Sequence, residues 1–283
     1  MTTTTVPAGE KLSLSDDVWV PKKASFKDKF LTRGNLLGFI TPVIALTLWE
    51  IVARIEHTVY IPPVSQIFAT FFHEWFSPTF HQQAIPSLYR MANGYIFATI
   101  VGITIGTLVG AYRPVYKLLD PVLQFLRATP PTAVIPVGIL LIGIGDQMKI
   151  VVIAFGAMWP IILNAADGAR LVPFERLETA KVFGLTKFET LVRVIVPSAT
   201  PMIAAGMRTA LTISLILIVV SEMIGSTDGL GYYILQAQRT FAIPEMYGGI
   251  VLLAVLGYSL NMIFLQIEER VLGWHYGATT RPV

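Results

Sequence analysis

The 283-residue chain has no cysteine, which excludes disulfide bridges and thiolate metal sites. Charge is scarce as well: 14% of residues are Asp, Glu, Lys or Arg, against about 25% in an average soluble domain. The four histidines, His57, His73, His81 and His275, fall at no spacing that a metal site uses. No Gly-Lys dipeptide occurs, so the phosphate loop G-x-x-x-x-G-K-[ST] cannot be written and a motor of that kind is excluded from this chain. G-x-S-x-G and H-E-x-x-H are missing too, which leaves a membrane-embedded hydrolase without a nucleophile elbow or a metal set. A secondary transporter working without ATP is the remaining rival among carriers, but the paired inverted repeats and clustered intramembrane charges common in that class are not visible.

What the chain has in abundance is apolar sequence: 54% of residues are hydrophobic and the mean hydropathy is +0.64. A spanning helix needs about 20 mostly apolar residues. Six segments meet that length: Leu36 to Ile55, Ser87 to Tyr112, Leu118 to Ile142, Met148 to Asp167, Met202 to Ile224 and Met246 to Ile267. The expected fold is an all-α, multi-pass membrane protein of about six transmembrane helices. The third segment is the least regular, since Pro130, Pro131 and Pro136 remove backbone donors. A broken helix in the bilayer is tolerated where protein or a water-lined cavity satisfies the freed carbonyls. Pro130 and Pro131 are therefore translocation-pathway candidates, and a packed kink is the competing reading.

Basic residues fix an expected orientation. With six spans and both termini in the cytoplasm, sixteen Lys and Arg fall on inner segments, while the outer loops hold only Arg54, Lys149 and Arg239, with Arg90 near an outer helix end. This asymmetry accounts for the net charge of +3 without a nucleic-acid partner. The organisation is a cytoplasmic tail over residues 1–35, a membrane domain over 36–272 and a cytoplasmic tail over 273–283. Phe26 and Phe30, four apart in a Lys-rich stretch, fit either a helix on the inner membrane surface or a solvated basic tail.

The loop between the fourth and fifth spans carries the most local structure. Pro173 suits a first helical turn, and Phe174, Leu177 and Ala180 lay an apolar stripe along a short helix. Gly184 fits a left-handed position that ends it. Thr186 and Glu189 then form Thr-x-x-Glu, a capping box that starts a second helix running toward Pro197. By pattern alone, this is also what an ordinary amphipathic connection looks like.

The spacing across that loop adds something further. Glu178-Thr179-Ala180, Gly184 six residues after Glu178, and then Val194, Val196 and Pro197 resemble the cytoplasmic EAA loop of ABC-importer permeases. That pattern runs Glu-Ala-Ala, three residues, Gly, nine residues, Ile-x-Leu-Pro, with Thr179 here replacing an Ala and the two valines replacing Ile and Leu. Ile61 to Ser65, Phe125 to Pro131, Gly143-Ile144-Gly145 and Glu222 to Gly231 resemble the nitrate, bicarbonate, sulfonate and taurine branch of these permeases. The resemblance covers most of the chain and implies a type I importer permease in the cytoplasmic membrane of a prokaryote. Its implied partners are a second copy of the chain, two ABC ATPase subunits that bind the ATP and Mg, an extracytoplasmic substrate-binding protein and membrane lipid. It implies a coupling loop over 173–197 that docks on the ATPase, no cofactor in this chain, and import of a small anion such as nitrate, bicarbonate, a sulfonate or an organic carboxylate. A heterocyclic vitamin precursor is the alternative cargo.

Charged residues inside spans are rare and often functional. Arg208 and Glu222 both fall in the fifth span and are pathway candidates, too far apart on one helix to pair. Arg208 either holds an anion or pairs with protein groups near the inner face. Glu222 either helps close an outer gate or packs the Gly-rich segment that follows. Glu50 and Arg54, one turn apart, are expected to pair with each other.

Overall fold

A computed structural model describes residues 33–273, with side chains from residue 40 onward. The N-terminal tail before residue 33, with Phe26 and Phe30, and residues 274–283, with His275 and Arg281, lie outside the described residues. Among the described residues the fold is all-helical, with no strand. In chain order the helices are α1 (Arg33–Glu56), α2 (Val64–Trp75), α3 (Ile85–Ala111), α4 (Arg113–Ala128), α5 (Val134–Ile142), α6 (Asp146–Arg170), α7 (Phe174–Val182), α8 (Lys187–Thr190), α9 (Val196–Ile224), α10 (Leu230–Arg239) and α11 (Ile243–Val271). The chain divides into two units, with α1 in the one that ends at Ile55. Within α1 the expected pair forms, Arg54 Nη2 lying 2.6 Å from Glu50 Oε1.

In the second unit, four stretches are long and apolar enough to cross a bilayer: Phe80–Ala111, Asp146–Arg170, Lys187–Ile224 and Ile243–Val271. The irregular third segment departs from a single span. It folds as α4, a sharp break and α5, the two parts bent by 78°. Pro130 is extended (φ −61°, ψ 126°) and Pro131–Ala133 make one 3₁₀ turn. A proline cannot supply the donor that a continuous helix needs, so two in a row stop α4. Counting the bent pair as one span gives up to five among the described residues.

The core is three helices, with α6 between α3 and α9. Small residues let the backbones approach: Gly94, Ala98, Gly102, Gly106 and Gly110 recur every four residues along one face of α3. A side chain at Gly94 would meet Ile153 of α6 at 2.7 Å, and one at Gly106 would meet the Ile162 carbonyl at 2.5 Å. Close backbone approach through such stripes is how helices associate where lipid removes the hydrophobic drive. These contacts ascend both helices together, so α3 and α6 run parallel. The contacts of α9 descend, Gly206 meeting Pro160 and Ala199 meeting Gly168, so it runs antiparallel.

Two prolines are absorbed by widened turns. The π-turns Phe80–Ala84 and Leu191–Ile195 each end two residues before a proline, Pro86 and Pro197. A π-turn shifts the bonding pattern where proline would otherwise clash with a carbonyl one turn back. As a result Lys187–Ile224 is one helical run of 38 residues rather than a loop helix followed by a span.

Candidate functional site

The segment from Pro173 to Ser198 lies at the end of the core where α3 and α6 finish and α9 begins. Helix α7 starts after Pro173 and stops at a left-handed Gly184 with φ +67°. The Leu185 N–H donates to the Ala180 carbonyl (3.0 Å) and the Gly184 N–H to the Lys181 carbonyl (2.9 Å). That bond pair is a Schellman ending, which satisfies carbonyls left open by the last helical turn. The capping box expected at Thr186 forms: the Glu189 N–H donates to Thr186 Oγ1 (3.3 Å) and the Thr186 N–H to Glu189 Oε2 (2.9 Å).

Leu177 and Ala180, from the apolar stripe, turn inward; Ala180 is buried, and Leu177 packs on Ala169, Val172 and Ile195. Phe174 points away and is exposed, as are Val182, Phe183 and Phe188. Four of the seven spaced residues, Thr179, Ala180, Val194 and Pro197, line one groove of about 770 Å³ together with Phe183 and Leu185. Glu178, Gly184 and Val196 lie outside its lining, with Glu178 accepting from Lys181 Nζ at 2.6 Å. The Arg176 guanidinium donates to Ser198 Oγ (2.9 Å), and Tyr112 Oη at the end of α3 donates to the Lys187 carbonyl (3.2 Å). The loop is thus fastened to the core at both of its arms.

At the opposite end of the same core lies a buried ion cluster. Glu222, near the C-terminal end of α9, is 1% exposed. Its carboxylate accepts from Arg90 Nη1 (2.9 Å), Ser87 Oγ (2.8 Å) and the Gly231 N–H (3.0 Å). Arg90 also reaches Asp146 (2.6 Å) at the start of α6 and Asp228 (2.5 Å) in the loop before α10. Lys149, assigned from the sequence to an outer loop, instead occupies the first turn of α6 and is buried beside these groups. Burial without pairing would be costly here, and each carboxylate has an Arg90 contact. Gly229, at φ +108°, leaves no room for a side chain beside the Glu222 carboxylate. Glu222 therefore packs the Gly229-Leu230-Gly231 segment, one of the two expected roles. The sequence pointed to Glu222 but not to Arg90, because the two are 132 positions apart.

The other pathway candidates are scattered. Pro130 is exposed at the break, and Pro131 packs against Gly156 of α6. Arg208 pairs with Glu268 of α11, a partner group 60 positions away. Among the described residues no cluster of His, Cys, Asp and Glu is arranged to hold a metal.

Residues 98–272 match the family described as binding-protein-dependent transport system inner membrane component. The chain is 32% identical to the putative aliphatic sulfonates transport permease protein SsuC of Bacillus subtilis, over 85% of this chain and 88% of that protein. It is 28% identical to the taurine transport system permease protein TauC of Escherichia coli, over 87% and 92% of the two chains. With the nitrate import permease protein NrtB of Synechocystis it shares 31% identity over 61% and 62%. Among solved structures, a chain of the inward-facing MetNI methionine ABC transporter superposes with a TM-score of 0.58 at 21% identity, covering 67% of this chain and 94% of that one.

Proposed function

The chain belongs to the family of binding-protein-dependent transport system inner membrane components, and on that premise we propose how it works and what it carries. It is a permease subunit of an ABC importer and not an enzyme; ATP is hydrolysed by a separate chain. The working unit is a dimer of this permease with two ATPase subunits, which bind the ATP and Mg, and an extracytoplasmic binding protein that delivers the solute. Both termini face the cytoplasm, and segment 173–197 is the coupling loop. Glu178, Thr179, Ala180, Gly184, Val194, Val196 and Pro197 form or shape its docking surface.

The observation that carries this reading is the continuity of the loop with α9. From Lys187 to Ile224 a single run of 38 residues joins the loop to the Arg90–Glu222 cluster, a distance of about 57 Å at 1.5 Å per residue. A rod of that length, pinned to the loop through Arg176 and Ser198, carries a displacement at one face of the membrane to the other. Alternating access then follows as a shift between two packings, powered by the ATPase.

The cargo is a small anion, a sulfonate, nitrate, bicarbonate or organic carboxylate. Support comes from the names of the relatives and from the core spans, where Glu222 and Asp146 are each tied to Arg90. Proteoliposomes containing permease, ATPase and binding protein are expected to take up labelled sulfonate, taurine, nitrate or bicarbonate only with ATP. Uptake of a heterocyclic precursor with all of these anions ignored overturns the cargo, and uptake that persists without the ATPase overturns the mechanism.

A further inference from the structure

We propose that the uncovered face of α9, with Ala205, Arg208, Thr209 and Thr212, lines a water-filled path for a small polar solute. This rests on the reading of the chain as a permease that works by alternating access, and not on the identity of the cargo.

Helical spacing makes the face. Within the stretch from Met202 to Ile224, the residues Ala205, Arg208, Thr209, Thr212 and Ile216 are all exposed. They recur at three and four positions, so they form one stripe along the helix. Three of the five are polar, and Thr212 lies near the middle of the stretch, at the depth of the hydrocarbon. In a bilayer, an uncovered stripe meets lipid, a second copy of the chain or water, and the hydrogen bonds discriminate among these.

A hydroxyl folded back on its own helix can face lipid, because its donor is already satisfied. Two exposed hydroxyls on other spans are satisfied in that way: Thr104 on α3 donates to the Ile100 carbonyl and Ser259 on α11 to the Val255 carbonyl, each at 2.7 Å. Thr209 does the same with Ala205 at 3.2 Å. Thr212 differs, since its hydroxyl makes no hydrogen bond among the described residues. Hydrocarbon offers it no acceptor, and water does.

Arg208, one turn away on the same stripe, gives a second and independent sign. Its side chain is 45% exposed, whereas that of its partner Glu268 is 9% exposed. The pair cancels in charge and engages one guanidinium nitrogen, Nη2. Arg208 also borders a cavity of about 420 Å³ lined by Leu265, Glu268 and Glu269 of α11. A polar cavity of that size holds several waters. Charged residues within spans turn toward the bundle interior or a water-filled cavity and mark solute pathways. With Thr212 at mid-span and Arg208 on the side toward the loop, the stripe runs from that cavity into the membrane.

The absence of native cysteine makes the face testable position by position. Ala205→Cys, Thr209→Cys and Thr212→Cys are compared with Val255→Cys and Ile263→Cys, exposed apolar positions on α11. The controls match in depth, because a side chain at Gly257 would meet Leu215 at 3.3 Å and Glu268 meets Arg208, which brackets Thr212 between Val255 and Ile263. Each variant, assembled with its ATPase in membrane vesicles, is treated from one side at a time with impermeant sulfonatoethyl methanethiosulfonate, and modification is read by mass spectrometry. The reagent needs a thiolate in water, so the α9 positions are expected to react about tenfold or more faster than the controls. The side from which Thr212→Cys is reached is expected to change between the nucleotide-free and the ATP–vanadate-trapped complex. Rates as slow as the controls at all three α9 positions overturn the proposal, since lipid or a second copy then covers the face. Fast reaction from the same side in both states also overturns it, because a fixed wet crevice is not a path. The readout is modification rather than uptake, so an error in the cargo does not alter it. A failure of alternating access leaves these positions reactive from one side, whereas a failure of the face assignment leaves them unreactive.

Discussion

At the scale of single side chains, the contrast between two ion pairs shows what a sequence can and cannot reveal. Glu50 and Arg54 are four positions apart on one helix, so helical geometry alone brings them together, and they pair as expected. Arg90 gathers Asp146, Glu222 and Asp228 across 56 to 138 positions, and no local rule anticipates that. The energetics differ in the same way. Arg54 is mostly exposed, and Glu50→Ala should change stability by only about 0.3–0.5 kcal/mol. Glu222 and Arg90 are almost fully buried, and Arg90 is the cation paired with Glu222, so Arg90→Ala strands a buried carboxylate and should cost about 3–5 kcal/mol. Thermal unfolding of the two purified variants in detergent, followed by circular dichroism, checks the ranking; equal midpoints would show that the cluster contributes no more than a surface pair. Arg208 was legible as a charge needing an explanation, but its partner Glu268 was not. The indole N–H of Trp159, the single buried side-chain polar atom without a hydrogen-bond partner among the described residues, was not legible either, because an unsatisfied donor exists only once its surroundings are known.

At the scale of elements, the loop was the most legible part of the molecule. Pro173, Gly184 and Thr186 with Glu189 act through the backbone within a few residues, and the structure realises each: a start, a left-handed stop and a capping box. What pattern could not show was the continuity of the second arm with the following span, which depends on a π-turn ahead of Pro197. Helices α2 and α10 were also missed. Both are short, and they are held by contacts with α11, such as the Trp75 indole donating to the Gly248 carbonyl at 3.1 Å. The small-residue stripe on α3 was readable in principle, as Gly or Ala at every fourth position. Substitutions at two glycines separate backbone strain from helix packing. A side chain at Gly184 meets no atom within 4 Å, so Gly184→Ala should cost only the left-handed backbone penalty of about 1–2 kcal/mol, leaving membrane insertion intact. Gly106→Leu, by contrast, drives a bulky group into the α6 backbone and should abolish recovery of monodisperse protein by size-exclusion chromatography. Wild-type behaviour of Gly106→Leu would mean that α3 and α6 do not pack closely.

At the scale of the whole molecule, four of the six expected spans were legible from hydropathy; at the third segment consecutive prolines make a bent pair, and Leu36 to Ile55 is not among the candidate spans of the described residues. Orientation is a matter of charge asymmetry, and the absence of native cysteine makes it easy to test. Thr227→Cys and Thr240→Cys, both exposed, should react with an impermeant maleimide from outside intact cells. Thr186→Cys, exposed on the loop, should react only after the membrane is opened; the reverse pattern would invert the topology. The central claim, that a separate ATPase chain drives this permease through the loop at 173–197, has a more direct test. Permease carrying Glu178→Lys or Gly184→Trp is compared with wild type for ATPase co-purification and for ATP-driven uptake in proteoliposomes. Both variants are expected to insert normally, to lose most of the bound ATPase and to import nothing, because one reverses a charge at the docking surface and the other projects a large ring from its corner. Wild-type uptake together with undiminished ATPase retention in both variants would contradict the account.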